Sequence, residues 1–523
     1  MTKVEDMGQS RVRWFVVGVA STIALAGCGS GEGAETETEL RSQLSTDPST
    51  FDPARSAGGD DYNVARLLFD SPLRLGPDGI EAGLATSWEA ESASSYTLTI
   101  RDDATCVDGT EITASVVADS LDYLASPDTA SNFRGLVFGS GDVVITADDD
   151  AAEVAIELSE PYANLPQGLT LAQSGIICPA GLADPEGLAR GDVPEAFSGP
   201  YELGAAKPGL EYRFDLRDGY EAWPEFAADL PGNAPEAITF GLVTDASATA
   251  NQLLSGDLDF AYVQGEAADR FDGQDEYRSL PTTVASIYLV FNQADGRVFS
   301  DPYLRLAVAQ AVDAEAFVSA FSGGRGEVFD TLVPPDYRCA LADPSLRVDQ
   351  DAQAAGALLD GVSATVLGSN AFGDNGAGNE YIAEALGAAG ADIDLINADN
   401  ATWATTMNQP GSDWDVVVMG DINATQQVSA SLNRVMGPSI AEGGRNVGSA
   451  DNPEGLAQLT EALVQTDPDA QCAAYEQAQR SVLERHDIVP LTGLITTMVS
   501  GENVEMQAIG DYLDFATVRV GVA

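Results

Sequence analysis

An α/β fold class follows from three observations on the 523-residue chain. Short segments with apolar residues at every second position are separated by segments whose apolar residues recur near every 3.6, the alternation of layered strands and helices. Asp, Thr and Pro stand where the helical segments should begin, and Gly where one should end. An apolar content of 44% in so long a chain supports two or three folding units rather than one.

The N-terminus stands outside that pattern. Lys3, Arg11 and Arg13 precede Trp14 to Leu25, a mostly apolar run of about a dozen residues, too short for a bilayer core of roughly 30 Å. Leu25-Ala26-Gly27-Cys28 closes the run, and its small residues suit a cleavage site. This order resembles the bacterial lipobox, which implies a signal peptide over residues 1–27 and a lipid on the Cys28 thiol. Residues 28–40, with the run GSGEGAETETE, have no apolar period and read as an acidic flexible tether.

Asp60 reads as the N-cap of a helix over 61–69, with Val64, Leu67 and Leu68 on one face. Ser95 to Arg101 alternates as a strand, Asp108-Gly109 turns, and Thr113 caps a helix to about Leu124. DVVITADDDAAEVAIEL predicts a hairpin around Asp148, Asp149 and Asp150. Three adjacent aspartates lack the alternating ligands, mid-loop glycine and distal glutamate of a calcium loop, so they read as a solvated turn. SGPYELGAAKPGLEYRFDLRDGY predicts a second hairpin. AITFGLVTDASATANQLLSGDLDFAYV predicts strand, helix and strand, with Gly256 ending the helix and the next strand spanning Leu258 to Val263. An apolar strand starts at Ser286, after which Asp301 and Pro302 open a helix whose period runs through VDAEAFVSAF. Residues 364–418 predict a βαβ unit ending in the buried strand DVVVMG. Its loop, SNAFGDNGAGN, lacks the G-x-G-x-x-G order of a dinucleotide cradle.

The net charge of -57, from 25 basic and 82 acidic side chains, excludes nucleic acid as a partner, since a phosphate backbone would be repelled. Acidic residues are spread along the whole chain, which suits solubility in salt or an exposed setting. Setting Cys28 aside leaves Cys106, Cys178, Cys339 and Cys472, an even number in an exported chain, so two disulfides are expected. Their spacings leave three connectivities open. No C-x-x-C pair is present, which speaks against a zinc ribbon or a thioredoxin-like role.

Taken in order, FDPARS, GLATSWE, YTLTIRDDATCVDGTEITASVVADSL, SGPYEL, LRDGYEAW, LLSGDLDFAYV, YLVFNQADGRVFSDPYLRLAVAQAVD, TLVPP and YEQAQRSVLERHDIVPL resemble the peptide/nickel family of extracytoplasmic solute-binding proteins. The resemblance covers nearly all of the chain after the leader. It implies a bilobed type II fold with an extra subdomain and mixed sheets flanked by helices. Residues 41–285 with 490–523 then form lobe 1, with an inserted subdomain at about 80–190, and residues 286–489 form lobe 2. Pairing Cys106 with Cys178 and Cys339 with Cys472 keeps each disulfide inside one lobe. The implied function is capture of a peptide or related small solute for an ABC permease, by a lipid-anchored monomer with no cofactor.

Peptide-binding members usually carry tryptophan after the strand equivalent to DWDVVVMG, and then an aspartate that holds the peptide amine. Here Asp421 stands at the tryptophan position and alanine near the anchor, which leaves room for a metal chelate, a cationic molecule or an oligosaccharide. Candidate solute-binding residues are Gly59, Asp60, Asp61 and Tyr62 from lobe 1, Asn292 beside the crossover, and Trp403, Asp421 and Asn423 from lobe 2. The single histidine, His486, is read as a packed or surface residue of the last helix, and one histidine cannot build a histidine metal cluster. The rival class is an exported enzyme. H-E-x-x-H is impossible with one histidine and no G-x-S-x-G elbow is present, although a carboxylate pair could form in space. A third reading is a receptor or chaperone-like binder without a permease.

Overall fold

The computed structural model describes residues 38–522 except 57, 58, 78, 229, 424, 510 and 511. The expected leader, Cys28 and most of the expected tether lie outside the described residues. Strand Glu39–Leu44 pairs in parallel with Ala237–Leu242 and buries Leu40, Ser42 and Leu44. Glu39 and Leu40 therefore belong to a sheet, not to the tether. The strand has few inward positions, one of them serine, and its partner is remote in sequence, so local pattern hides it.

Glu211–Leu216 and Tyr201–Lys207 complete this four-stranded sheet as the second expected hairpin. Its core gathers Phe214, Phe240, Phe260 and Phe515, whose rings meet edge to face at 5.0–5.9 Å. A separate antiparallel sheet orders Ala85–Ser92, Ser95–Ile100, Glu153–Leu158 and Val143–Asp148. Helix Ala114–Ala125 covers it, with Thr113 at the N-cap position. The aspartate turn serves that helix: Asp149 accepts from the Ser115 amide at 2.8 Å and the Ser115 hydroxyl at 2.9 Å. Cys106 and Cys178 are bonded inside this second core.

The largest sheet has six strands in the order Phe260–Gln264, Ile488–Gly501, Tyr277–Phe291, Val416–Asp421, Ser363–Ser369 and Asp392–Ala398. Two of its strands are long, and together they form an antiparallel ribbon that crosses between cores. Ile287 to Phe291 and Ile488 to Leu491 belong to the third core, whereas Met498 packs with Phe260 and Phe515. The ribbon register shifts between Thr283 and Ala285, leaving Val284 as an extra residue that bends the strand. Cys339 and Cys472 are bonded beside the third core.

Several expected elements take different bounds. Tyr277–Phe291 begins well before Ser286, because its polar first half is held by pairing with Ile488–Gly501 and not by an apolar face. The helix opened by Asp301 stops at Ala311, and Asp313 caps a second, Ala314–Ser322, by accepting from the Glu315 and Ala316 amides. Asp60 lies inside helix Gly59–Leu68, not before it. His486 lies outside the last helix, Pro468–Glu484, with a φ of 53° where the chain turns into the next strand.

Candidate functional site

Parallel strands Ser363–Ser369, Asp392–Ala398 and Val416–Asp421 all end at one edge of the six-stranded sheet. Ligands of open α/β sheets collect at the carboxyl ends of strands, where loops and helix N-termini converge. Register places Ser286 opposite Asp421 at this edge, close to the bend in the ribbon. The Phe372 ring closes on Gly420, where an added β-carbon would lie 2.6 Å from it and force the ring to shift. Phe372 in turn meets Trp403 edge-on at 5.3 Å.

A charged cluster lies on the other face of the strand, because successive side chains alternate and Asp421 pairs with Ser286 where Gly420 pairs with Ile287. Asp421, only 2% exposed, lies 2.7 Å from the Arg434 Nε, and its other oxygen accepts from the Tyr288 hydroxyl at 3.1 Å. Burial, with the Asp421 carboxylate beside it, pushes the Tyr288 phenol far above its ordinary range, so it stays a donor. The Val447 amide donates to the Arg434 carbonyl at 3.0 Å, which brings Arg445 to the same patch. Arg445 acts electrostatically on Arg434, Asp421 and Tyr288. Burial lowers its proton affinity, and Arg434 lowers it further. Ile422, 63% exposed, is the apolar side chain beside Asp421.

Three of the expected solute-binding residues meet at this edge. Trp403 lies in helix Asn400–Met407, buried, with no partner for its indole Nε1 among the described residues. Asp421 ends its strand. Asn423 shapes the following loop, donating to the Gln427 carbonyl at 2.7 Å and the Ser431 hydroxyl at 3.0 Å. Asn292 follows the opposite end of the long strand and donates to the Trp414 carbonyl at 3.0 Å. Gly59, Asp60, Asp61 and Tyr62 form the first turn of a helix in another core. Asp60 accepts from the Ser45 and Thr46 amides at 3.0 and 2.8 Å, and Asp61 from the Ser49 amide at 2.7 Å, so both fasten the preceding loop. Tyr288, Phe372, Arg434 and Arg445 were not singled out by sequence. The usable signal was scarcity, since only 25 residues of the chain are basic.

Residues 79–442 match the family described as Bacterial extracellular solute-binding proteins, family 5 Middle. The chain belongs to that family. This family 5 protein is 23% identical over 499 residues to the periplasmic murein peptide-binding protein MppA of Escherichia coli (strain K12), covering 88% of this chain and 89% of that one. Among solved structures, it resembles a substrate binding protein from Microbacterium hydrocarbonoxydans complexed with 4-hydroxybenzoate hydrazide, at 38% identity and a TM-score of 0.79, covering 92% of this chain and 100% of that one. A dipeptide binding protein from Pseudoalteromonas sp. SM9913 in complex with Met-Leu shares the fold at 18% identity and a TM-score of 0.76, covering 92% and 100%. The fold of this family 5 protein is thus the bilobed α/β fold expected from the resemblance. No helix among its described residues is long and apolar enough to cross a membrane.

Proposed function

We propose that this family 5 protein is the capture subunit of an ABC importer, closing two lobes on a peptide-sized solute and delivering it to a membrane permease. One observation carries the reading: a two-stranded ribbon joins separate cores and bends beside the carboxyl edge where Trp403, Asp421 and Asn423 gather. Hinge closure needs a solute that binds the closed form better than the open one, through contacts from both lobes. The proposed lobes are residues 41–285 with 490–523 and residues 286–489, with the subdomain at about 80–190. No step of this work changes a covalent bond of the solute.

Peptides are the proposed cargo, supported by the murein peptide-binding relative. Thermal-shift titration with di- to pentapeptides tests this, since a ligand of the folded state raises the melting temperature. A shift with another solute class and none with peptides would move the assignment to a non-peptide solute. That second reading is favoured by Asp421, whose two oxygens are already engaged, and by the relative bound to a hydrazide. We further propose cleavage after residue 27 and lipid attachment at Cys28, which holds a monomer on the outer face of the membrane. Mass spectrometry of the membrane-extracted protein should find a diacylglyceryl group on Cys28, and Cys28→Ser should release the protein from membranes.

A further inference from the structure

The two disulfides differ in their access to solvent and in what they hold. Cys106 and Cys178 are 0% and 1% exposed inside the second core, whereas Cys339 and Cys472 are both half-buried beside the third. Cys339 also stands at a φ of 67°, in the left-handed region that a residue with a β-carbon occupies only under restraint. Its bond to Cys472 fastens residues 337–341 to helix Pro468–Glu484. There the Gln479 side-chain amide donates to the Cys339 carbonyl at 2.8 Å, and its oxygen accepts from the Leu341 amide at 3.1 Å. The fastened segment reaches the candidate site. Its Tyr337 hydroxyl donates to the Asn423 carbonyl at 3.2 Å, and the same carbonyl accepts from the Gln426 amide at 2.9 Å. Gln426 is itself left-handed, at a φ of 51°, so this loop keeps its shape only while its partners hold it. The helix reaches across the molecule: Gln471, next to Cys472, donates to the Asn164 oxygen at 3.1 Å, and nearby Gln167 donates to the Thr425 carbonyl of the site loop at 3.1 Å.

We infer that the Cys339–Cys472 bond is a redox switch, whose reduction by a dithiol frees residues 337–341 and loosens the loop carrying Asn423 and Gln426, while Cys106–Cys178 survives. A thiolate of the dithiol attacks one of the two exposed sulfurs and forms a mixed disulfide, releasing the other cysteine as a thiol. The second thiol of the reagent then displaces the remaining cysteine; the protein gains a pair of electrons and both protons, and the reagent leaves as its own disulfide. Attack needs a sulfur within reach of solvent, which Cys339–Cys472 offers and Cys106–Cys178 does not. Once the bond opens, Cys339 is released from the left-handed conformation, and Tyr337 shifts with it. The Asn423 carbonyl then loses a donor at the candidate site. The switch rests on where Asn423 lies and not on what the cleft captures, so it stands or falls separately from the importer function.

Brief treatment of the intact protein with dithiothreitol, then iodoacetamide and mass spectrometry, should label Cys339 and Cys472 and leave Cys106–Cys178 bonded. Hydrogen-exchange mass spectrometry of the peptide that holds Gln426 reads the loop without any solute. Its exchange should quicken about tenfold in the reduced protein and in the double variant Cys339→Ser with Cys472→Ser, while the far-ultraviolet circular dichroism of both stays that of the folded parent. Tyr337→Phe should quicken the same peptide with the bond intact, and reduction should then add little, since both changes act through one contact. Reduction of Cys106–Cys178 first or at an equal rate overturns the switch, as does loss of the folded signal. So does parental exchange around Gln426 in the reduced protein, the double variant or Tyr337→Phe.

Discussion

Arg74 shows how much one buried charge can hold. Its guanidinium lies 2.5 Å from Asp70 and 2.6 Å from Asp514, with all three side chains almost wholly buried. The Tyr220 hydroxyl donates to the second Asp70 oxygen at 2.7 Å. Burial alone would lower the proton affinity of Arg74, but Asp514 and Asp70 outweigh it and raise it. Arg74→Met should cost about 3–5 kcal/mol in urea unfolding, because two carboxylates are left buried without their cation. A loss under about 1 kcal/mol would mean that water or rearrangement replaces the guanidinium. His486 gives a pH test of opposite kind. Burial first, then Arg305, lowers its proton affinity in the folded chain, so below the unfolded value near 6.5 the unfolded state binds the extra proton. Its contribution is present above that pH and is lost as pH falls. His486→Asn should therefore flatten the decline in melting temperature between about pH 7 and 5 relative to the parent.

At the scale of elements, most caps were legible, Asp60 excepted, and breaks were not. Asp301 and Pro302 open their helix as expected, and Gly256 closes another in the left-handed conformation at a φ of 74°. The stop at Val312 was hidden because the apolar period continues across it, while Asp313 uses its carboxylate to restart the helix. The ribbon is the element on which function depends most. A β-carbon on Gly493 would lie 2.6 Å from the Thr283 Cγ2 and 2.9 Å from the Phe329 ring, beside the extra residue Val284. Gly493→Ala should lower stability by about 1–3 kcal/mol through overpacking, read from chemical denaturation. An unchanged midpoint would show that the ribbon yields there. The Cys339–Cys472 bond closes a separation of 133 residues. Replacing both cysteines by alanine should cost about 2–5 kcal/mol, with a matching fall in melting temperature.

For the whole molecule, the decisive contacts link the second core to the helices of the third. The Asn164 side-chain amide donates to Tyr475 at 2.8 Å and Ser429 at 2.9 Å, and its oxygen accepts from the Gln471 amide at 3.1 Å. Beside it the Ala163 backbone amide donates to the Leu463 carbonyl at 2.7 Å. A buried polar junction of this kind is strong only when complete, since each abandoned partner carries a desolvation cost. Asn164→Ala should loosen the approach of the two bodies. We expect solute affinity to fall by about tenfold, as the loss of about 1–2 kcal/mol implies. Small-angle scattering of the solute-bound variant should show a larger radius of gyration than the parent; identical radii and affinities would assign the junction a purely local role.

Sequence by itself determined the α/β class, most strands and caps, the even set of four cysteines and the family, because these depend on local period, turn chemistry and ordered motifs. It placed Trp403, Asp421 and Asn423 in the candidate site, and all three lie at one sheet edge. It could not show that Asp421 is engaged by Arg434 and Tyr288, or that Arg445 joins them. Those partners are remote along the chain, and the charge a solute meets is a sum over side chains that only tertiary packing brings within reach of one another.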